Sequence, residues 1–163
     1  TTRSKALRRP SMAHAIYIDL SAKAEQWTRA SAVAMSNEGC RVYMVSGKVK
    51  QRARRLIRER HGGKSDQYRL LAALVFLVVR DDLPAISQIV IDQDYAGQQA
   101  EATIKNLLLR LLRKEKTGIT AGMVRFAELR GSRADRLAKQ VYDGERPPDR
   151  VVGWSELEAV LKG

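Results

Sequence analysis

The chain has 163 residues, and its 30 Lys and Arg against 18 Asp and Glu leave a formal net charge of +12 at pH 7. That length makes one domain with a sizeable core, and the cationic excess argues against a basic partner and for a polyanion, either nucleic acid or an anionic membrane surface. The single cysteine, Cys40, excludes an internal disulfide and a cysteine metal cluster, which is the usage expected of a cytoplasmic protein.

Residues 1–13 form a basic N-terminal arm (Arg3, Lys5, Arg8 and Arg9) without periodicity. No charged-then-apolar signal pattern is read there. The chain does not open on Met, so either Met12 is its start or it belongs to something longer. Residues 13–20 are predicted as a first strand, with Ile16, Tyr17 and Ile18 leading into Asp19. Small residues alternating over 27–36 predict a second strand, and 40–49 a third, with a turn at 37–39 between them. A helix follows over 50–61, with Ala53, Leu56 and Ile57 on one face and basic residues around the rest. Gly62 and Gly63 end it, and Ser65 is the expected N-cap of the next helix.

That next stretch, residues 68–79, is apolar almost all round, which suits a helix buried against a sheet. Its uninterrupted run over 70–79 is about half the length needed to cross a bilayer, so no membrane span is expected. Residues 86–97 carry Ile89, Val90 and Ile91 into Asp92, the unbroken apolar run of a strand covered on both faces. Beyond it, Ala100, Ile104, Leu107, Leu108, Leu111 and Leu112 predict a long amphipathic helix whose other face holds Lys105, Arg110, Arg113 and Lys114. A last strand is predicted over 123–129 and a helix from Ser132 to about Tyr142. After the Pro147–Pro148 break, Ser155 and Glu158 predict a capping box for a short final helix. The expected organisation is therefore a basic arm over 1–13, an α/β domain over 14–145 and a C-terminal helical tail over 146–163. Its sheet has five strands, three antiparallel and then two parallel, flanked by helices.

Three aspartates stand out by position: Asp19 and Asp92 at strand exits, and Asp135 in the first turn of a helix. If the strands of Asp19 and Asp92 are neighbours, all three gather at one sheet end. Clustered carboxylates raise one another's pKa unless a cation offsets them. Mg²⁺ or Mn²⁺ prefers such hard oxygen ligands, and two such ions can activate water and stabilise the leaving oxygen in phosphodiester cleavage. For Asp92 alone the plain alternative is a strand-end turn residue.

With IYIDLS, YRLLAALVFL, IVIDQDYAG and SRADRLAKQV in this order, the chain resembles the ribonuclease H-like superfamily over roughly residues 14–144. The resemblance implies that fold, two divalent metals, phosphodiester hydrolysis, and four carboxylates in the order Asp, Glu, Asp, Asp. Asp19, Asp92 and Asp135 match residue by residue. The glutamate does not: its helix position reads Arg69. Asp66, three residues earlier on about the same face, is either the substitute ligand or an ordinary acid at a helix N-terminus. Arg69 itself is a candidate to offset the aspartates' charge. The loop between Leu129 and Ser132 is too short for the histidine many such ribonucleases carry, and His14 and His61 read as structural or surface residues.

For nucleic acid, Lys48, Lys50, Arg52, Arg54, Arg55, Arg58 and Lys64 form a basic segment with Glu59 as its one acid, a handle for a phosphate backbone or a solvated helix face. Trp27, Tyr43 and Tyr95 are stacking candidates whose plainer role is packing, and Asp94 is a possible auxiliary ligand. Ser21 and Ser132 have no histidine partner for a triad. The competing classes are a metal-dependent nuclease, a non-catalytic nucleic-acid-binding module of the same fold, and an interaction domain using the leucine-rich helix or the last one.

Overall fold

The computed structural model describes residues 14–21, 23–37, 39–93 and 98–163. The arm over 1–13, together with Asp94, Tyr95 and Gly97, lies outside the described residues. Six strands and five α-helices follow in the order β1 (His14–Ser21), β2 (Ser31–Ser36), β3 (Cys40–Val45), α1 (Gly47–His61), α2 (Asp66–Val79), β4 (Ile86–Asp92), α3 (Gln98–Glu115), β5 (Val124–Ala127), α4 (Arg133–Tyr142), β6 (Arg150–Val151) and α5 (Trp154–Lys162). The sheet runs β5-β4-β1-β2-β3-β6. β1, β2 and β3 pair antiparallel, and β4 lies parallel to β1 and β5 parallel to β4. The three-antiparallel, two-parallel pattern is present. The expected count of five is corrected by β6, which pairs parallel with β3 through Tyr43–Arg150 and Met44–Val151.

Side-chain alternation divides the sheet into two faces. On one, Ile16, Ile18, Ile89 and Ile91 pack with α2, α3 and the buried side of α1 in the main core. The apolar run of α2 supplies most of that core: from Leu70 to Val79 every residue is buried. On the other face a small cluster joins Ala32, Ala34 and Val42 to Ala134, Leu137, Ala138 and Val141 of α4. The alanines of β2 let α4 approach closely.

The segment after residue 145 is no tail. Val152 and Leu157 enter the main core, and α5 packs on α1 and α2. The final cap also differs from the expected Ser155–Glu158 pair: α5 starts at Trp154, so Glu156 is the residue that accepts from the Gly153 N–H, at 3.3 Å. The leucine face of α3 (Ile104, Leu108, Leu112) is buried in the core, which removes it as a docking surface. No described helix is long and apolar enough to cross a membrane.

β2 begins at Ser31, not at residue 27, and Trp27 sits in a turn. The cause is Lys50, fully buried, whose ammonium donates to the carbonyls of Gln26 and Arg29, each at 2.9 Å, to that of Lys23 at 3.3 Å and to Ser31 Oγ at 2.7 Å. Four acceptors gathered on one cation fold residues 23–31 into successive turns. Gly47 completes the junction. A Cβ there would lie 2.5 Å from the Thr28 carbonyl oxygen, so only glycine lets α1 start against this loop. Ser46 Oγ accepts from the Val49 N–H at 3.1 Å, which ends β3 at Val45 and begins α1 earlier than its hydrophobic period suggests.

Candidate functional site

Ile18 pairs with Ile91 across the parallel β1–β4 ladder, so Asp19 and Asp92 are the next residues on adjacent strands. Their predecessors point into the main core, and the two aspartates therefore point to the α4 face. α4 crosses β1 and β2 on that face. Its N-cap Ser132 accepts from the Asp135 N–H at 3.2 Å, which sets Asp135 in the first turn. There Asp19 and Asp135 share a hydrogen bond, and Asp92 acts on Asp19 through its charge.

Burial, then the charge of Asp92, then the hydrogen bond to Asp135 push Asp19 up to about 8, against the opposing Leu20 N–H that donates to its Oδ1 at 2.8 Å. Among the described residues no cation is one of the groups that act on it. Partial burial alone would raise Asp135, but the Gly131 N–H at 2.8 Å, Lys139 at 3.3 Å and the Asp19 proton outweigh it and hold Asp135 below the ordinary carboxylate value. Asp19 is thus the member that carries the shared proton near pH 7. Asp92 Oδ1 accepts from the Leu129 N–H at 2.9 Å, tying the exit of β4 to the loop that enters α4.

The donor chemistry suits a hard divalent ion: three carboxyls on one cleft, one of them uncharged for want of a positive neighbour. The spacing is open, however. Among the described residues no three His, Cys, Asp or Glu side chains are gathered closely enough to hold one ion.

Asp66 is elsewhere. It is buried at the start of α2 and bridged by Arg58 Nε at 3.0 Å and Arg54 Nε at 3.4 Å, and its Oδ1 accepts from the Gln67 N–H. It is not among the groups acting on Asp19. Arg69 is not beside the aspartates either. Its Nε donates to Ser65 Oγ at 3.2 Å, and it lines a cavity with Arg110 and His61 between α1, α2, α3 and α5. The idea that Arg69 neutralises the aspartates is therefore corrected: the α2 residue chosen by register with the core looks away from the α4 face. Ser65 precedes α2 but does not cap it through its side chain.

Of the seven basic residues expected to grip nucleic acid, Lys50 is corrected, because all its protons are committed inside the protein. Lys48, Arg52, Arg55, Arg58 and Lys64 are exposed, and Arg54 is half-buried. Arg54 stacks over Trp27 at 5.0 Å and Arg52 over Trp154 at 4.6 Å, so both guanidinium groups rest on aromatic faces. Tyr43 is buried between Arg41 and Arg150. Glu25 was overlooked in the sequence. Its Oε1 is buried without a hydrogen-bond partner among the described residues, and its charge acts on Lys50. Nothing local in the sequence announces it, because its setting depends on the Lys50 loop.

Comparison with protein-family models, curated proteins and solved structures gives no match for this chain.

Proposed function

We propose that this protein is a ribonuclease H-like, nucleic-acid-binding domain that hydrolyses phosphodiester bonds with Mg²⁺ or Mn²⁺ held by Asp19, Asp92 and Asp135. The observation that supports the reading is the coupling of Asp19 at one sheet end to Asp92 by charge and to Asp135 by a hydrogen bond, which keeps Asp19 protonated. Buried acids that repel one another cost stability, and a divalent cation is the agent that would reverse that cost. When bound, the ion supplies activation of water and charge neutralisation at the scissile phosphate. The chain's own groups do the holding. The Leu20, Leu129 and Gly131 N–H groups each fix one carboxyl oxygen, of Asp19, Asp92 and Asp135 in turn, which would orient the three toward an ion. Asp19 must give up its proton for that, so activity should rise with pH. The exposed cations of α1, Lys48, Arg52, Arg55 and Arg58, with Arg54 and Lys64, anchor the phosphate backbone.

A second reading, a binding module without catalysis, is favoured by one observation: Asp66 is committed to Arg54 and Arg58, so among the described residues it does not stand as a fourth carboxylate with the three. One experiment separates the two. Purified protein is assayed for cleavage of RNA–DNA hybrid, duplex DNA and single-stranded RNA with Mg²⁺ or Mn²⁺. Cleavage that Asp19→Asn and Asp92→Asn abolish supports the nuclease. Salt-sensitive binding without cleavage of any substrate leaves the module.

A further inference from the structure

Six basic side chains, Arg60, His61, Arg69, Arg110, Lys114 and Lys162, line one cavity of about 100 Å³ between α1, α2, α3 and α5. It lies on the side of the sheet opposite to α4 and the aspartates. Ile57, Ala73, Leu107 and Leu111 form its apolar walls. Among the described residues, Lys162 has the Glu158 side chain at 3.1 Å, while Arg60, His61, Arg69 and Arg110 have no side-chain carboxylate within ion-pair distance. Arg60 donates to the Lys162 carbonyl, and Lys114 to an oxygen of Gly163, the last residue of the sequence, whose carboxylate faces it. Arg69 is held at the cavity by its bond to Ser65 Oγ.

Like charges gathered against apolar walls repel at close range with little screening. The effect is visible in their ionisation: burial and then Arg110 depress Arg69, and burial followed by Arg69, Arg60 and Arg110 depresses His61. A surface helix needs a solvated face, but that does not require four helices to turn their cations into one recess. We propose that this recess is a binding site for a phosphate monoester, the dianionic head inside on Arg69 and Arg110 and the ester carbons against Leu107 and Leu111. Arginine forks suit the tetrahedral oxygens, and a dianion offsets more of the repulsion than a carboxylate does. The volume admits the phosphate and a few carbon atoms, well short of a nucleoside. The ester is either a small phosphorylated metabolite or the terminal phosphate of a nucleic-acid strand.

The test uses the full chain at low salt without divalent ion, which separates it from the aspartate chemistry. Phenyl phosphate, inorganic phosphate, and a dinucleotide with a 5′-phosphate or a 5′-hydroxyl are titrated by calorimetry, with the His61 ring resonances followed by NMR. The chain has two histidines, so assignment is direct. Saturable binding of phenyl phosphate at millimolar concentration or below should raise the His61 pKa, since a dianion offsets Arg69, Arg60 and Arg110 around it. Arg69→Gln and Arg110→Gln should each weaken binding about tenfold, by loss of a charged hydrogen bond. Arg125→Gln, an exposed change of equal charge on β5, should leave it unaltered. Tighter binding of the 5′-phosphorylated dinucleotide than of phenyl phosphate, with none of the 5′-hydroxyl form, assigns a strand end; equal binding assigns a small ester. No heat and no His61 shift with any phosphate overturns the proposal. So does weakening by Arg125→Gln equal to that by the cavity variants, and the titration of the unmodified chain decides even if a variant fails to fold.

Discussion

Lys50 and Asp19 are both buried charges, 0 % and 5 % exposed, and the fold provides for them in opposite ways. Lys50 has three carbonyls and a hydroxyl around its ammonium, and it is depressed only to about 8 although fully enclosed. Asp19 has one N–H donor and two other carboxyls for company, and is pushed up to about 8. The first arrangement is a completed structural pin. The second is incomplete without a proton or a cation, which is the electrostatic condition of a ligand site.

The largest effect expected from breaking this contrast is on the pin. Lys50→Met removes the cation and its four hydrogen bonds, leaving the turns of residues 23–31 to their own backbone bonds, at a cost of roughly 3–5 kcal/mol in denaturant unfolding. A cost below about 1 kcal/mol would mean the 23–31 loop is held by other contacts.

Next comes Asp19→Asn, which should act in the opposite direction in metal-free protein. Because the folded pKa of about 8 lies above the ordinary 3.8, the folded state holds a proton that the unfolded state has lost. Stability contributed by this group is therefore complete below about pH 4 and declines as pH rises towards 8. The Asn variant should flatten that decline and melt higher than the unmodified chain at pH 8. Mg²⁺ or Mn²⁺ at ten to a hundred times its Kd should stabilise the unmodified protein by about 1.4–2.7 kcal/mol and the variant far less. Equal metal-induced shifts in the two would place the ion elsewhere.

Asp66→Asn is a smaller perturbation with a sharper readout. Losing its two half-exposed arginine partners and its place at the start of α2 should cost about 1 kcal/mol. Nucleic-acid binding should persist, because Arg54 and Arg58 are then released to solvent. Cleavage should also persist; its abolition with binding intact would make Asp66 the missing fourth ligand.

The last change, Arg54→Gln, Arg55→Gln and Arg58→Gln together, also takes both ion-pair partners from the buried Asp66, so it is read by salt dependence in the folded variant and not by stability. Each phosphate contact removed should lower the slope of log K against log salt by about one on duplex DNA. An unchanged slope would leave these arginines as the solvated face of α1.

Local pattern was sufficient where one periodicity dominated. Ile89, Val90 and Ile91 admit only a doubly covered strand, the leucine spacing over residues 100–112 admits only an amphipathic helix, and Ser132 stands where it caps α4. Those elements in that order already imply antiparallel β1–β3 and parallel β4 and β5, since helical crossovers join parallel neighbours. Alternation along β1 and β4 likewise puts Asp19 and Asp92 on the face opposite to Ile18 and Ile91.

What sequence could not decide was which charged groups meet. Lys50 looked like one more cation of a basic helix, and only the turning of residues 23–31 around it showed that its ammonium is enclosed. Asp66 and Arg69 share a helix, but rotation of α2 against the sheet sends one to α1 and the other to the cavity shared with α3 and α5. The two-residue strand β6 is too short for any period and exists because the edge of β3 offers it partners. Periodicity is a property of neighbours along the chain, so the sequence itself determined the elements and their buried faces. Charge pairing depends on distances between segments far apart in sequence, and only the packed structure sets those.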